Sequence, residues 1–397
     1  MAARETDPSI STDADRRVSG ETASSILTID LDALKRNYAF LRRASGTAET
    51  AAVVKADAYG LGIERVGPAL WRAGCRRFFV ATPAEGVTLR RLLPDAVIFV
   101  FDGPTGQPGL LALHRLVPVL NTFDDIAAWE PWARTGPPQG PGGRKTGATL
   151  PAAVHVDTGM NRLGLPVAGF RELIRDPARL DRLNICLVIS HLACADEPAN
   201  PKNHDQQALF ARLVGETPGL PACLANSGGV LMGAPFHFDL TRPGIALYGG
   251  VPALNRPENG PAELAQVVHL KARILQIREI DSPETVGYGA AFRAEGAMKI
   301  ATVAVGYGDG YPRALSHRGS ALVNGIRVPL VGRVSMDLST FDVSAVPSHA
   351  CRPGDFVDLI SPAHTVDDLA DEAGTIAYEI LTSLGRRHTR VYVEETR

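Results

Sequence analysis

Short apolar runs separated by amphipathic stretches of helix length recur through the first two thirds of the chain, and this alternation limits its fold most strongly. The runs are residues 53–54, 78–80, 97–100, 117–120, 153–156, 185–189 and 222–225. Repeated β-then-α units predict a parallel sheet, and about eight of them favour a closed (β/α)8 barrel of the TIM type. An open doubly wound sheet is the alternative, but no Gly-x-Gly-x-x-Gly motif opens a helix to support a dinucleotide-binding fold.

The two ends of the chain have a different pattern. Residues 25–30 predict a strand, and residues 31–44 carry the helical spacing of Leu34, Tyr38 and Leu41. Beyond residue 260 the sequence is rich in β-type stretches, namely residues 267–280, 299–305, 319–331 and 356–360, followed by a helix at 365–384 and a strand at 389–393. We therefore predict a disordered arm over residues 1–24, an α/β barrel over 25–260 and a mainly β domain over 261–397.

Composition excludes several classes of function. The chain has 397 residues, 45% of them hydrophobic, and a formal net charge of -2, so no basic excess is available to bind nucleic acid or a membrane surface. Its N-terminal arm lacks the apolar segment of a secretion signal, which predicts a cytoplasmic protein. The five cysteines are scattered and no metal-ligand spacing occurs, so we expect reduced thiols and no metal. Residues 136–151, rich in proline and glycine, predict a surface loop.

Lys55 stands directly after the apolar run Ala51-Ala52-Val53-Val54. A lysine at the mouth of a buried strand loses hydration, which disfavours its ammonium form and leaves a nucleophilic amine. Such an amine can form a Schiff base with an aldehyde cofactor, and pyridoxal phosphate is the commonest. The alternative for this residue alone is a surface lysine whose stem packs on the strand end.

Further polar residues follow other predicted barrel strands, where the active sites of such barrels are built. Arg162 lies in a Gly-rich loop after residues 153–156, and His191 follows residues 185–189. The segments 224–229 and 242–249 are of the kind that bind phosphate through backbone N–H groups and a hydroxyl. Taken singly, a solvated arginine, a structural histidine and ordinary turn chemistry explain them equally well.

Three segments of the second predicted domain are dense in glycine and aromatic residues. These are Gly287-Tyr288-Gly289-Ala290, residues 305–313 and Gly332-Arg333-Val334-Ser335-Met336-Asp337. A tyrosine between glycines has few local packing partners, so it can point into a neighbouring site, although a β-turn tyrosine covering a core edge has the same pattern.

Together these segments, in this order, resemble the alanine racemases, which are pyridoxal-phosphate enzymes of fold type III with an α/β barrel and a C-terminal β domain. The resemblance runs from about residue 26 to residue 393 and implies a homodimer with shared active sites. It implies interconversion of L- and D-alanine through an external aldimine, for peptidoglycan synthesis or alanine catabolism.

The resemblance also assigns roles to individual residues. Lys55 is expected to hold the cofactor, Arg242 to face its pyridine nitrogen, Arg162 its phenolic oxygen, and His191 to orient Arg242 or stack near the ring. The phosphate is expected to be bound by Tyr59, Ser227, the backbone of Gly244 and Ile245, and Tyr378, with Asn226 beside it. The substrate is expected to meet Arg162, Met336, Tyr307 and Asp337, with Tyr288 as a second base.

Racemisation removes a proton from one face of a planar carbon and returns one to the other, so two bases are needed. Within the resemblance, Lys55 serves the D-enantiomer and Tyr288, contributed by the partner subunit, serves the L-enantiomer. Because Arg242 stays protonated, the pyridine nitrogen opposite it is expected to stay unprotonated, which weakens the electron sink and suppresses transamination.

One position departs from the family pattern. Many members carry a lysine, reported as carbamylated, seven residues before Arg162, and this chain has His155 there. An imidazole cannot supply the negative charge of a carbamate. We therefore expect no carbamylation and another means of orienting Arg162, such as chloride or a nearby carboxylate.

Two alternatives of function remain. A broad-specificity amino-acid racemase would share the scaffold, but such relatives carry secretion signals and paired cysteines. A non-catalytic pyridoxal-phosphate-binding protein would share the barrel but would lack the second domain.

Overall fold

The computed structural model describes residues 23–104, 106–134, 149–252 and 264–395. The chain divides into two compact units, one of Ala33–Ala265 and one that combines Met1–Asp32 with Gln266–Arg397. It begins with β1 (Ser25–Asp30) and α1 (Leu31–Ala44), as the sequence predicted. Most of the predicted N-terminal arm and most of the predicted loop at 136–151 lie outside the described residues.

The first unit is a ring of parallel strands. The strands are β2 (Glu49–Thr50), β3 (Ala52–Val53), β4 (Arg77–Val80), β5 (Val97–Val100), β6 (Val117–Leu120), β7 (Ala152–His155), β8 (Ile185–Ile189), β9 (Ala222–Cys223) and β10 (Leu240–Thr241). β3 to β9 form one parallel sheet in sequence order, and β10 pairs with β2. Backbone bonds from Asp239 N to Ala222 O (3.0 Å) and from Arg242 N to Ala225 O (2.9 Å) join β9 to the β10 segment. With β2 and β3 taken as one interrupted strand, the ring has eight positions.

Helices follow the strands of this barrel. They are α2 (Ile63–Arg72), α3 (Pro83–Leu92), α4 (Pro108–Leu113), α5 (Phe123–Ala133), α6 (Val167–Ile174), α7 (Pro177–Leu183), α8 (Pro201–Gly215) and α9 (Ser227–Leu231). Phe78, Phe79 and Val80 are all fully buried, because strands between a packed interior and a helical layer have no solvent face. Because the strands are parallel, their carboxyl ends share one end of the barrel, where polar side chains can gather.

The second unit is mainly β. Its further strands are β11 (Val268–Ile280), β12 (Thr285–Val286), β13 (Phe292–Arg293), β14 (Met298–Val303), β15 (Ser320–Val323), β16 (Ile326–Pro329), β17 (Ser339–Asp342), β18 (Phe356–Ile360) and β19 (Thr389–Val393). The main sheet has the order β16-β15-β18-β11-β1-β19, and β14 pairs with both β11 and β17. An α/β barrel followed by a mainly β domain is thus confirmed.

Two details differ from the sequence-based expectation. The predicted barrel began at residue 25, whereas β1 is antiparallel to β11 and parallel to β19, both in the second unit. The single helix predicted at 365–384 is two helices, α10 (Val366–Ala373) and α11 (Ala377–Ser383). They separate because Gly374 adopts a left-handed conformation (φ 69°) that ends α10.

None of the helices in the described ranges is long and apolar enough to cross a membrane. All five cysteines are free thiols.

Candidate active site

The chain makes a left-handed turn immediately after Lys55. Residues 56–59 all have φ between 53° and 56°, although none of them is glycine. This conformation costs L-residues roughly 1–2 kcal/mol each. At its start the Ala56 N–H donates to Glu85 Oε1 (2.7 Å), and the carboxylate of Asp57, within the turn, accepts from the Ile63 N–H at the start of α2 (2.8 Å). Strained backbone of this kind persists only where surrounding contacts fix it, which is typical of functional sites.

The surroundings of Lys55 favour its neutral amine. The side chain reaches solvent at the barrel mouth, yet the protein around it removes hydration from the ammonium group, and this desolvation is the main cause that lowers the pKa of Lys55. The positive charge of Arg162 lowers the pKa further, while the carboxylate of Glu85 opposes the shift. A larger share of Lys55 is therefore nucleophilic at neutral pH than of an exposed lysine.

Arg242 is buried at the carboxyl end of β10, and its guanidinium is surrounded by acceptors. Nη1 donates to Leu224 O (3.0 Å) and Cys223 O (3.2 Å), and Nη2 donates to Ser190 O and to His191 Nδ1 (2.9 Å). Burial, and next the Arg242 charge, lower the pKa of His191 well below its usual value. The imidazole is thus neutral, and because Nδ1 accepts from Arg242, its hydrogen lies on Nε2.

A cluster of backbone N–H groups and hydroxyls lies between the ends of β9 and β10. Ser227 Oγ accepts from Gly244 N (2.9 Å) and Ala246 N (3.3 Å), which leaves the hydroxyl hydrogen available to another acceptor. The Tyr59 ring stacks on Tyr248 with centroids 4.6 Å apart. A Cβ on Gly244 would overlap the Tyr59 hydroxyl oxygen, so this close approach requires glycine.

Two predicted neighbours of this cluster serve the local backbone. Asn226 Oδ1 accepts from Gly229 N (2.9 Å) and caps α9, which places Ser227 at the first position of that helix. Ile245 begins the buried 3-10 turn Ile245–Tyr248, and the next residue, Ala246, donates its N–H to Ser227 Oγ. Arg162 lies in the loop after β7 with an exposed side chain, and its positive charge contributes to the lowered pKa values of Lys55 and His191.

His155, at the end of β7, is fixed as one tautomer. The Asn121 amide nitrogen donates to Phe101 O (2.9 Å) and Val119 O (3.0 Å), so its oxygen must face His155 Nδ1, 2.8 Å away. Burial, and next the Arg242 charge, lower the pKa of His155 to about 4. The neutral ring therefore donates from Nδ1 and presents Nε2 as an acceptor.

The remaining predicted residues lie in the second unit. Tyr288 opens the short 3-10 turn Tyr288–Ala290 between β12 and β13. Tyr307 N donates to Ser335 O (3.0 Å), and Gly308 N donates to Met336 O (2.8 Å), so these two loops are joined through their backbones.

Asp337 and Tyr378 complete this set. Asp337 Oδ1 accepts from Arg387 Nη1 (2.8 Å), and Arg387 Nε also lies 3.2 Å from Asp309 Oδ1. Tyr378 stands on α11. The structure thus brings Tyr307, Met336 and Asp337 together, whereas Tyr288 and Tyr378 are carried on separate elements of the same unit.

Comparison with known families supports one assignment. The sequence matches the alanine racemase N-terminal domain over residues 29–252 and the alanine racemase C-terminal domain over residues 267–392. The chain belongs to the alanine racemase family.

Relatives match along nearly the whole chain. The alanine racemase of Rhodospirillum rubrum is 49% identical over 376 residues, which cover 94% of this chain and 96% of that protein. The catabolic alanine racemase of Agrobacterium fabrum is 46% identical, with 94% and 93% covered. Among solved structures, alanine racemase from Bartonella henselae with covalently bound pyridoxal phosphate has a TM-score of 0.86 and 38% identity, covering 94% of this chain and 100% of that one. The predicted resemblance is confirmed.

Two polar residues of this alanine racemase family member were not singled out in the sequence. Glu85 contacts the backbone beside Lys55, and Asn121 fixes His155. The first had a signal, because Thr82-Pro-Ala-Glu85 is a capping-box pattern directly after a strand. Asn121 had none beyond its place at a strand end.

Proposed function

We propose that this protein is a pyridoxal-phosphate-dependent alanine racemase that interconverts L- and D-alanine. The observation that carries the proposal is the convergence at one end of the barrel of a lysine with a lowered pKa, a buried arginine and a cluster of N–H and hydroxyl groups. They come from the carboxyl ends of β3, β9 and β10, as catalytic groups of other barrel enzymes come from the ends of several strands. Family membership identifies the reaction that this convergence serves.

The residues present fit the cofactor. Ser227, with the backbone of Gly244 and Ile245 and the Tyr59 hydroxyl, would bind the phosphate at a point where glycine leaves room beside the ring of Tyr59. Lys55 would hold the cofactor covalently, with Arg242 toward its ring nitrogen and Arg162 toward its phenolic oxygen. Tyr378 and Asn226 complete the proposed set around the phosphate. When bound, pyridoxal phosphate supplies a conjugated ring that stabilises the electron pair left when the α-proton of alanine departs.

Two residues of the chain move the proton. The Lys55 amine takes or returns it on one face of the α-carbon, serving the D-enantiomer, and Tyr288 Oη acts on the other face, serving the L-enantiomer. Family resemblance assigns Met336, Tyr307 and Asp337 to the substrate, with the backbone N–H of Met336 toward its carboxylate. Arg242 is held by backbone carbonyls and His191, so its guanidinium would face the ring nitrogen as a hydrogen-bond donor and would disfavour proton uptake there.

A homodimer with shared sites belongs to the same proposal. Tyr288 is 73% exposed and Met336 is 56% exposed, so both side chains are open to contact with a second copy. A second copy would cover them and receive Tyr288 at its own barrel mouth. The proposed location is the cytoplasm, where free thiols persist.

The test of the function follows the chirality of amino acids by time-resolved circular dichroism. The purified protein is incubated with pyridoxal phosphate and, separately, L-alanine, L-serine or L-arginine. Fast loss of signal with L-alanine alone is the expected result. Comparable rates with L-arginine would indicate a broad-specificity racemase, and no loss with any of the three would leave a cofactor-binding protein without racemase activity. Supply of D-alanine for peptidoglycan and catabolism of alanine are both compatible with the reaction.

A further inference from the structure

The Glu85 carboxylate joins two adjacent βα units of the barrel. Oε1 accepts from Ala56 N (2.7 Å), the residue that follows Lys55. Oε2 accepts from Ala81 N (2.8 Å) and Thr82 N (3.2 Å), at the junction between β4 and α3. One side chain thereby satisfies three backbone N–H groups, two on its own helix start and one on the neighbouring strand end. Hydrogen bonds from N–H groups to a carboxylate are among the stronger ones in proteins.

A helix cap explains only part of this arrangement. Thr82 and Glu85 form a capping box, in which Glu85 N donates to Thr82 Oγ1 (3.3 Å) and the carboxylate accepts from Thr82 N. That motif needs no contact outside α3. The bond to Ala56 is additional, and it reaches the first residue of the left-handed turn.

The turn needs an external partner at that point. Four successive non-glycine residues in a left-handed conformation are unfavourable, so contacts must supply the stabilisation. The later part of the turn is stabilised by the hydrogen bond from Ile63 N to Asp57 Oδ1 and by the stacking of Tyr59 on Tyr248. At the Lys55 end, the Glu85 carboxylate makes the corresponding contact through Ala56.

We infer that Glu85 is a positioning residue that holds the left-handed turn through the Ala56 N–H and so directs the Lys55 amine into the barrel mouth. The inference deepens the proposed function and rests on it, because it concerns how Lys55 meets pyridoxal phosphate. Glu85 touches neither cofactor nor substrate in this role. Its loss changes the capture of the aldehyde by Lys55, while the phosphate cluster around Ser227 keeps its geometry because the Asp57 bond and the stack of Tyr59 on Tyr248 still hold the later part of the turn.

The experiment compares Glu85→Gln with Thr82→Ala. Glu85→Gln replaces one carboxylate oxygen by an NH2 group, which cannot accept from a backbone N–H. Thr82→Ala removes the other half of the same capping box and leaves the bond to Ala56 intact. Affinity is measured for pyridoxal phosphate and for pyridoxine phosphate, which has the phosphate but no aldehyde. Borohydride reduction followed by peptide mapping gives the fraction of pyridoxyl-Lys55.

The expected result separates the two ligands. Glu85→Gln lowers the affinity for pyridoxal phosphate about tenfold and lowers the yield of pyridoxyl-Lys55. Its affinity for pyridoxine phosphate stays within about twofold of that of the wild type. Thr82→Ala stays within about twofold for both ligands. Equal behaviour of Glu85→Gln and Thr82→Ala, or equal weakening of both ligands by Glu85→Gln, would overturn the inference.

Relief of the backbone strain gives a second, independent readout. Ala56→Gly removes the conformational cost at φ 53°. Added to Glu85→Gln, it should raise the yield of pyridoxyl-Lys55 several-fold over that of Glu85→Gln alone. A purely structural role of Glu85 in α3 predicts no such rescue. If Glu85→Gln does not fold, Glu85→Asp replaces it, because its shorter side chain cannot reach both sets of N–H groups.

The proposed function and this inference fail in different ways. Wild-type protein that yields no pyridoxyl-Lys55 would contradict both. Wild-type protein that yields it, with Glu85→Gln unchanged, would contradict the role of Glu85 alone.

Discussion

His155 Nδ1 lies 2.8 Å from Asn121 Oδ1, at the position where many alanine racemases carry a carbamylated lysine. The two backbone acceptors of the Asn121 amide leave its oxygen facing the imidazole, so the ring is a neutral hydrogen-bond donor at Nδ1. It brings no negative charge toward Arg162. What it offers instead is the Nε2 lone pair.

Activity should therefore be independent of bicarbonate. We expect the wild-type rate to be unchanged after removal of CO2 and after addition of bicarbonate. The intact mass of the native protein should show no carbamate. His155→Lys provides the matched comparison, since an amine at this position can react with CO2, and its rate should rise with bicarbonate. A wild-type rate that falls on CO2 removal and recovers with bicarbonate would disprove this account.

The same histidine should make the fold sensitive to acid. The pKa of His155 is about 4 in the folded protein against 6.5 for the ordinary side chain, so between these values the unfolded chain binds more protons. The contribution of His155 to the free energy of unfolding is therefore fully present above about pH 6.5 and is lost as the pH falls toward 4. Between pH 7 and pH 5 this loss amounts to about 2 kcal/mol. Urea unfolding at both pH values should give a smaller loss for His155→Gln. Replacement of the exposed His349 serves as the control, and an unchanged loss in His155→Gln would refute the assignment.

Gly244→Ala should damage the proposed phosphate site. Its Cβ would overlap the Tyr59 hydroxyl oxygen and lie 3.1 Å from Tyr59 Cζ, so the ring must leave its present position against Tyr248. We expect about tenfold weaker binding of pyridoxal phosphate and little change for pyridoxal, which lacks the phosphate. Gly215→Ala, at the end of α8 with open space around the added carbon, is the matched control. Equal loss for both ligands would place the damage outside the phosphate cluster.

Shared active sites can be tested by mixing variants. Lys55→Ala and Tyr288→Phe should each be nearly inactive alone. In a heterodimer of the two, one site pairs the intact Lys55 of one chain with the intact Tyr288 of the other, so co-expression should restore up to about a quarter of the wild-type activity. Titration of one variant against the other, with activity and size measured together, checks this. Activity that stays at the level of the single variants would mean that Tyr288 acts within its own chain.

Local pattern was sufficient for the order and type of most elements. Apolar runs such as residues 97–100 and 185–189 are strands because β-branched and aromatic residues between turn signals leave few other choices. The same reasoning located Lys55 and His191 at strand ends and Arg242 in a loop of the last part of the barrel, and residues at the ends of parallel strands meet on one side of a barrel. The fold thus came from local pattern, whereas the roles of the candidate residues on the barrel came from the resemblance of their segments to the alanine racemases.

Tertiary structure decided the features that depend on distant partners. β1 joins the second unit because it pairs with Val268–Ile280, more than two hundred residues away, and no local pattern encodes that pairing. None of the four residues of the left-handed turn after Lys55 is glycine, so the sequence does not predict it. Contacts from Glu85 and Asp57 stabilise a conformation that is unfavourable for these residues in isolation. The tautomer of His155 likewise depends on Asn121, a neighbour only in the folded chain. Sequence fixes which groups are available, whereas hydrogen bonds across the barrel determine their conformation and protonation, because both depend on partners that folding alone brings within reach.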